Sequence, residues 1–400
     1  MSETEGLTRT QSSLLVFSLL TVAIGQSLVF ALLAPLGREV NLTEVQITSI
    51  IAISAIIYGW ISPRWGRYSD HRGRKPVLLI GLTGFTIGIV LFASVFQAGL
   101  MGLLVGTPLY VLAIVSRCTQ SSIMAATPPA TSAYTADLTP PDQRMRAMGR
   151  LGAANSLGMI LGPAVSGVLA TVGLLAPLYF AGLLTAVAAL LVWWKLPPIP
   201  AVARKSHALR TRLRYRDPRI FRYVATAVGL FSGFGAIQQT LGFSIQDKLH
   251  LSGIETAQYT GGAFMVSASF AFFSQRVLIQ RLSLNPEQFI LAGLSTLFLA
   301  AAFIGTFDSM AYLAVGMAFM GMGTGLAMPS IMAAASVAVS PEEQGAVAGI
   351  IASCPAIGFV AGPIIGGLLY QQGSSLPSIF SGAVFILVFV LMRATQGKTT

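Results

Sequence analysis

Long apolar runs, each separated from the next by a short polar segment, are the dominant pattern of this chain. Each run has about 20 or more mostly apolar residues, the length that an α-helix needs to cross the hydrocarbon core of a bilayer. The pattern predicts an all-α membrane protein with 12 transmembrane helices. The runs lie near residues 13–37, 44–62, 77–97, 104–136, 143–170, 174–195, 219–245, 255–275, 285–306, 309–338, 343–370 and 374–394.

Composition supports this class of protein. Of the 400 residues, 54% are hydrophobic and 10% are charged, a balance that a water-soluble domain of this length would not show. The first run is too long for a signal-peptide core and lacks a convincing cleavage site, so we expect a retained helix. Cys118 and Cys354 lie in different runs without metal-ligand spacing, so we expect no metal site.

The net charge of +11 is distributed unevenly along the chain. Basic residues concentrate in every second segment between the runs, and by the positive-inside rule these segments face the cytoplasm. We therefore predict a multi-pass protein of the cell inner membrane with both termini cytoplasmic, in contact with membrane lipids and without a nucleic-acid partner. The basic segments contain Arg67, Arg72, Arg74 and Lys75; Arg144, Arg146 and Arg150; the residues between 204 and 222; Arg276 and Arg281; and Arg393 and Lys398.

The second half of the sequence repeats the first at an offset of 200 residues. The repeat predicts two pseudo-symmetric six-helix bundles, 1–196 and 219–400, joined by a basic cytoplasmic linker over 197–218. Parallel halves of this kind are a known transporter architecture, in which the substrate site lies between the halves near the membrane midplane. The aligned pairs include Pro141 with Pro341, Gly158 with Gly358, Gly162 with Gly362, Pro163 with Pro363 and Gly167 with Gly367.

The two halves differ in their polar residues. At the same offset, Met317, Met320 and Val337 stand where the first half has Arg117, Gln120 and Asp137. We therefore expect the polar machinery to be concentrated in the amino-terminal half.

Residues 66–76, between the second and third runs, are predicted to form a tight basic loop with a single acid, Asp70. Glycines permit a tight turn, and Asp70 can accept hydrogen bonds from helix ends or from Arg74. The pattern G-x-x-x-D-x-x-G-R-K resembles the loop between helices 2 and 3 of the major facilitator superfamily of secondary transporters. The resemblance implies a cytoplasmic latch with gating residues; a basic topogenic turn is the simpler alternative. The implied gating residues are Gly66, Asp70, Arg72, Gly73, Arg74 and Lys75, with Asp137 and Arg144.

The segment GMILGPAVSG, residues 158–167, resembles the antiporter motif of the same superfamily, although Ser166 replaces the first glycine of its final pair. The motif positions are Gly158, Gly162, Pro163 and Gly167. In the superfamily this motif accompanies export. Small residues also let helices pack closely without any further function, and the repeat of this pattern in helix 11 supports that alternative.

Arg117 and Gln120 resemble the R-x-x-Q-G motif of helix 4 in the superfamily, with Ser121 in place of the glycine. That resemblance implies a role for Arg117 in proton coupling, and an arginine at this depth needs a cavity or a partner. A structural arginine bound to backbone carbonyls is the alternative. Asp137 and Arg144 resemble the D-x-x-P-x-x-x-R element that closes helix 4, where an acid and a base can pair and shape the loop.

No acid lies clearly in the middle of a run, and the histidines fall in polar segments. If protons drive transport, their carriers are predicted near helix ends. The candidates for proton coupling are Arg117, Asp137, Glu39 and Asp247.

The substrate cavity is therefore predicted to be lined mainly by neutral side chains. Amides supply donors and acceptors, whereas aromatic and methionine side chains adapt to apolar ligands. Since Arg117 is the one buried charge expected, a neutral, zwitterionic or anionic substrate fits better than a strongly cationic one. The candidates for substrate binding are Gln26, Tyr58, Arg117, Gln120, Phe234, Gln238, Gln239, Tyr259 and Met265.

Taken with the resemblance to the 12-helix drug:proton antiporters, these features predict a monomeric exporter of a small amphipathic compound that works by alternating access, in exchange for protons. An exporter of one endogenous metabolite such as a siderophore, an uptake symporter and a membrane-embedded enzyme are the alternatives. No acid pair, histidine cluster, nucleophile elbow or phosphate-binding loop is present in the sequence, so neither an enzyme nor a cofactor is expected.

Overall fold

The computed structural model describes residues 7–199, 213–340 and 343–395, and its regular secondary structure within these ranges is helical. Eleven of the helical segments there are long and apolar enough to cross a membrane. The helix over 221–249, which has Gln238 and Gln239 near its centre, is not among these eleven. In chain order the helices are α1 (Arg9–Glu39), α2 (Glu44–Arg72), α3 (Arg74–Leu100), α4 (Gly106–Met124), α5 (Thr127–Leu138), α6 (Pro141–Leu169), α7 (Ala176–Lys195), α8 (Phe221–Leu249), α9 (Gly253–Phe273), α10 (Ile279–Arg281), α11 (Pro286–Thr306), α12 (Met310–Val337), α13 (Gln344–Gln372) and α14 (Leu376–Thr395), with a π-helical turn (Ser274–Leu278) between α9 and α10.

The described residues form two compact units. The first unit contains residues 7–42 and 53–199, and the second contains 43–52, 213–340 and 343–395. Most of the predicted linker lies outside the described residues, which omit 200–212.

In the first unit, α6 packs against α1 through glycines. A Cβ atom added to Gly158 would lie 2.7 Å from the carbonyl oxygen of Leu20, and one added to Gly162 would lie 2.6 Å from that of Ile24. The Ser27 hydroxyl donates a hydrogen bond of 3.0 Å to the Gly158 carbonyl across this contact. The small residues of the antiporter-like segment therefore allow the two backbones to approach more closely than side chains would permit.

The second unit repeats this contact between α13 and α8. A Cβ atom at Gly358 would lie 2.9 Å from the amide nitrogen of Ser232, just as one at Gly158 would lie 3.0 Å from that of Ile24. Ile24 of α1 and Ser232 of α8 are therefore equivalent positions. By the same register Gln26 is equivalent to Phe234, so the two units place an amide and an aromatic ring at corresponding sites.

We expect Gly158→Ala to lower the stability of the protein. The added methyl group would force the α1 and α6 backbones apart, and overpacking of this kind costs about 1–3 kcal/mol. Gly152→Ala in the same helix is the matched control, because a Cβ atom there meets nothing within 4 Å. This control should raise the free energy of unfolding by about 0.5 kcal/mol or more, since alanine favours a helix more than glycine does. Thermal unfolding of both purified variants measures the difference; equal midpoints would contradict the close contact.

The predicted loop over residues 66–76 is wrong. The helix α2 continues through Arg72 and α3 begins at Arg74, so Gly73 alone separates them. Gly73 has a φ of +92°, a conformation that glycine adopts without the strain of a side chain. Gly66 lies within α2, where a Cβ atom would meet only Pro129 at 3.7 Å. The sequence does not mark these helix ends, because α2 and α3 both continue through polar residues outside the apolar runs.

The run near 104–136 forms one candidate span, Gly106–Leu138, in which a short turn interrupts the helix. The helix α4 ends at Met124, and α5 begins at Thr127 after a two-residue turn. Pro128 and Pro129 lack backbone N–H donors, so two consecutive hydrogen bonds of a continuous helix would be lost there. The equivalent helix α12 has the single Pro329 and remains unbroken.

Candidate functional site

Arg117 and Gln120 form a buried polar pair in the first unit. Both lie on the buried face of α4, where Arg117 is only 1% exposed. Arg117 Nη1 donates a hydrogen bond to Gln120 Oε1, and its guanidinium carbon lies 5.9 Å from the ring centroid of Phe92. Arg117 Nε and Gln120 Nε2 have no hydrogen-bond partner among the described residues. The pair therefore keeps unused donors in an environment where such donors are costly.

The surroundings of the pair do not neutralise its charge. Gly88 of α3 lies so close that a Cβ atom there would be 2.7 Å from Cγ of Gln120. Among the described residues no carboxylate pairs with Arg117. In the second unit the equivalent positions hold Met317 and Met320, which are buried to a similar degree. The fold itself therefore does not need a charge at this position.

The predicted substrate residues of the second unit fall into two groups. Gln238 and Gln239 are buried in α8, and Gln238 Oε1 and Gln239 Nε2 have no hydrogen-bond partner in the part of the chain that the structure describes. Phe234 lies one turn from Gln238 on the same helix, and its ring centroid is 6.1 Å from that of Phe359 in α13. Tyr259 and Met265, both in α9, are exposed.

The predicted substrate residues of the first unit other than the pair are less buried. Gln26 in α1 and Tyr58 in α2 are partly buried. The structure therefore brings Arg117 and Gln120 into contact and places Phe234 beside Gln238 on one face of α8. Among the described residues of the second unit, no hydrogen bond or ring contact joins Tyr259 or Met265 to Phe234 or Gln238.

A charged cluster joins α2, α3 and α5 at one end of the first unit. Arg74 Nε donates to Asp137 Oδ2 at 2.9 Å, and Nη1 donates to Asp70 Oδ1 at 2.5 Å and to the Ser69 hydroxyl at 2.8 Å. The side chains of Arg74 and Asp137 are 6% and 10% exposed, whereas that of Asp70 is 50% exposed. Arg74 therefore holds three helix ends together, and Asp137 is its more deeply buried partner.

The remaining predicted gating residues surround this cluster. Lys75 donates to the carbonyl oxygen of Trp193 in α7 at 2.8 Å. Arg144 donates to the carbonyl oxygen of Ala136 at 3.0 Å, so it binds the main chain near the end of α5. Arg72 lies over the ring of Tyr68 with 6.0 Å between the guanidinium carbon and the centroid.

The second unit has ion pairs of its own, contrary to the expectation that polar machinery is concentrated in the first half. Arg222 donates to Glu287 at 2.6 Å, and the Tyr223 hydroxyl binds the same carboxylate oxygen at 2.6 Å. Arg219 binds both Asp217 and Glu343, at 2.9 and 2.8 Å. These pairs were missed because Glu287 and Glu343 follow their partners by 65 and 124 residues, outside any motif.

The three acids predicted to carry protons all lie near helix ends. Glu39 ends α1 and is exposed. Asp137 binds Arg74, and Asp247 near the end of α8 accepts a 2.6 Å hydrogen bond from the Tyr370 hydroxyl of α13. Neighbouring side chains therefore hold Asp137 and Asp247 in place. The role of these acids in proton coupling stays a prediction.

The ion pairs of Arg219 predict an acid-sensitive contribution to stability. The hydrogen bonds from the Arg219 side chain hold the pKa of both Asp217 and Glu343 below their ordinary values. Because these pKa values are depressed in the folded protein, the stabilisation is present above the ordinary carboxyl pKa of about 4 and is lost as pH falls through the folded values. We expect Arg219→Gln to unfold at a lower temperature than the wild type at pH 7.

The gap between the two unfolding temperatures is expected to shrink as the pH is lowered below about 4, since the carboxylates then become protonated. Thermal unfolding across this pH range measures it, with Arg276→Gln as a control for loss of an exposed arginine that binds no acid in the described structure. A gap that stays constant to low pH would contradict the prediction.

Comparison with known proteins identifies similar sequences and structures. Residues 15–309 and 284–398 match the sequence profile of the Major Facilitator Superfamily. Multidrug resistance protein 2 of Bacillus subtilis (strain 168) is 25% identical over 398 residues, covering 96% of this chain and 95% of that protein. The class C tetracycline resistance protein of Escherichia coli is 26% identical over 387 residues, covering 93% of each. The crystal structure of the nucleoside transporter NupG superposes with a TM-score of 0.76 at 15% identity, covering 97% of this chain and 100% of that one, which shows a shared fold.

Proposed function

Because this chain belongs to the Major Facilitator Superfamily, we propose that it is a secondary active transporter that exports a small amphipathic compound in exchange for protons. The observation that carries the proposal is the buried Arg117–Gln120 pair, which has unused donors and no carboxylate partner in the described structure. Export is supported by the resistance proteins of similar sequence, whose names refer to multidrug and tetracycline resistance.

The substrate we propose is anionic or zwitterionic. Removing a guanidinium from water has an effective cost of several kcal/mol, which a negatively charged group bound at Arg117 would offset. A strongly cationic compound would instead add like charge in a medium where electrostatic interactions are poorly screened. Gln120 Nε2 offers a second donor to the same group, so a carboxylate or an enolate matches both.

The second unit has candidate contacts of its own for an apolar ligand. Phe234 and Phe359 present aromatic surface, and the neighbouring Gln238 has an unpartnered acceptor oxygen. Aromatic surface and a single amide would bind a planar compound with polar substituents and tolerate variation among such compounds. We propose alternating access as the transport cycle, as expected for the superfamily.

Transport by the purified protein in liposomes tests the proposal. The panel contains tetracycline, an anionic dye and a cationic dye. Exchange for protons predicts that inside-out liposomes accumulate the substrate only when their interior is acidic, and that the internal pH rises as substrate enters. If substrate enters equally fast with and without the pH gradient and no protons accompany it, exchange is excluded. Preferential accumulation of the cationic dye would contradict the role given to Arg117.

A further inference from the structure

The second unit has a groove between α11 and α14 with a volume of about 570 Å³. One part of its lining is apolar and includes Leu291 and Phe389. The other part is polar and includes Asn285, Gln288 and Arg393. Arg393 lies near the end of α14, so the polar part is at the end of the span and the apolar part lies deeper along it.

The polar part of the groove offers hydrogen-bond donors. The side-chain oxygens of Asn285 and Gln288 each accept a 2.9 Å hydrogen bond from the other's backbone N–H, which closes the start of α11. The two amide NH₂ groups remain available as donors. Arg393 lies over the ring of Phe389 at 6.0 Å, and no carboxylate among the described residues pairs with it.

The one acid in the lining does not compete for these donors. Glu287 is bound by the Arg222 guanidinium and the Tyr223 hydroxyl, at 2.6 Å each. Its charge is therefore compensated from the α8 side. Arg393 leaves the groove with a net positive charge.

The equivalent groove of the first unit lacks this chemistry. The helices α3 and α11 correspond. Gly81 of α3 approaches Thr127, and Gly293 of α11 approaches Ala327, the residue that matches Thr127 in the repeat. The groove between α3 and α7 has a volume of about 400 Å³, and Trp193 stands where the second unit has Arg393. Its lining contains no charged or amide side chain. The same fold therefore forms this groove without amide or charged side chains in its lining, so the fold does not require the polar part of the groove in the second unit.

We propose that the groove between α11 and α14 binds an anionic phospholipid. The phosphate accepts hydrogen bonds from Arg393 and from the amides of Asn285 and Gln288, and an acyl chain lies along Leu291 and Phe389. A basic pocket between transmembrane helices at the predicted cytoplasmic side suits the anionic lipids of that leaflet. The mixed polar and apolar lining of the groove matches a molecule with a charged head and an apolar tail.

Native mass spectrometry of the full-length protein, titrated with dioleoyl phosphatidylglycerol or dioleoyl phosphatidylcholine, tests the site. We expect tighter binding of phosphatidylglycerol, and we expect Arg393→Gln to weaken it about fivefold, as one basic residue at a membrane surface predicts. Lys195→Gln is the matched control, since Lys195 ends α7 and lies over Trp194 but does not line a groove with amide donors. It should bind phosphatidylglycerol as the wild type does.

A second variant tests the groove itself. Ala292→Trp places a large side chain in the groove and should weaken the binding of phosphatidylglycerol even though Arg393 is retained. Glycerophosphoglycerol, the same headgroup without acyl chains, should bind far more weakly than the lipid. The proposal is overturned if Arg393→Gln binds phosphatidylglycerol as well as the wild type, if Lys195→Gln weakens binding equally, or if phosphatidylcholine binds as tightly.

Discussion

Replacing Arg117 and Gln120 together by methionine is expected to weaken transport at low substrate concentration at least about thirtyfold and to leave the protein at least as stable as the wild type. The second unit already has this arrangement, with Met317 and Met320 at the equivalent positions, 1% and 2% exposed. Methionine side chains are therefore compatible with a buried pair at this place in the fold. The double variant therefore gives the first unit the two side chains that the second unit has at these positions.

The expected gain in stability follows from the cost of the buried charge. Arg117 has no carboxylate partner in the described structure, and its Nε lacks a hydrogen bond. Replacing buried charged groups by apolar side chains of similar size is often neutral or stabilising by about 1–4 kcal/mol. The expected loss of transport follows from removing a buried contact to a charged substrate, which costs about 2 kcal/mol or more and reduces binding at least about thirtyfold.

Thermal unfolding and transport in liposomes, measured on the same preparation, separate the two roles of the pair. Met317→Leu combined with Met320→Leu is the matched control, because it alters the equivalent positions while conserving their apolar character. It should keep transport. A double methionine variant that unfolds well below the wild type would show that Arg117 is structural, and one that transports an anionic substrate with unchanged saturation would show that it does not bind substrate.

The helices and their internal repeat were predictable because both follow from local features of the sequence. Apolar runs of sufficient length specify spanning helices, and the Gly158 and Gly358 segments pack their helices in the same way, as their alignment predicts. The ends of the helices were not predictable by the same rule. The segment around Asp70 is polar, yet it is helical. The helix α2 continues past its apolar residues and ends at Arg72.

The polar sites show the same difference between contacts within one helix and contacts between helices. Arg117 and Gln120 are three residues apart on one helix, so their contact could be anticipated from spacing alone. The pairing of Arg222 with Glu287 depends on how α8 packs near the start of α11, and neither residue belongs to a motif. Asp137 was predicted to act with Arg144, but its observed ion pair is with Arg74 of α3. Contacts set by tertiary packing were therefore the ones that sequence could not supply.

Arg74→Gln is expected to lower the free energy of unfolding by about 3 kcal/mol, the largest loss of stability that we predict for a single residue. Arg74 and Asp137 are 6% and 10% exposed, so solvent screens their interaction poorly. Removing one partner of such a pair leaves the other charge to be accommodated in a poorly hydrated place, which typically costs about 3–5 kcal/mol. The same guanidinium also joins α2 through Asp70 and Ser69.

Two further variants assign this loss to the buried pair. Asp70→Asn should cost at most about 1 kcal/mol, because the Asp70 side chain is 50% exposed and exposed ion pairs contribute little. Combining Arg74→Gln with Asp137→Asn should recover part of the loss, since the carboxylate charge is removed together with its partner. Denaturant unfolding in mixed micelles measures all three variants. If Asp70→Asn lowered the free energy of unfolding as much as Arg74→Gln does, the prediction would be wrong. The exposed contact between Arg74 and Asp70 of α2, rather than the buried contact with Asp137 of α5, would then hold these helix ends together.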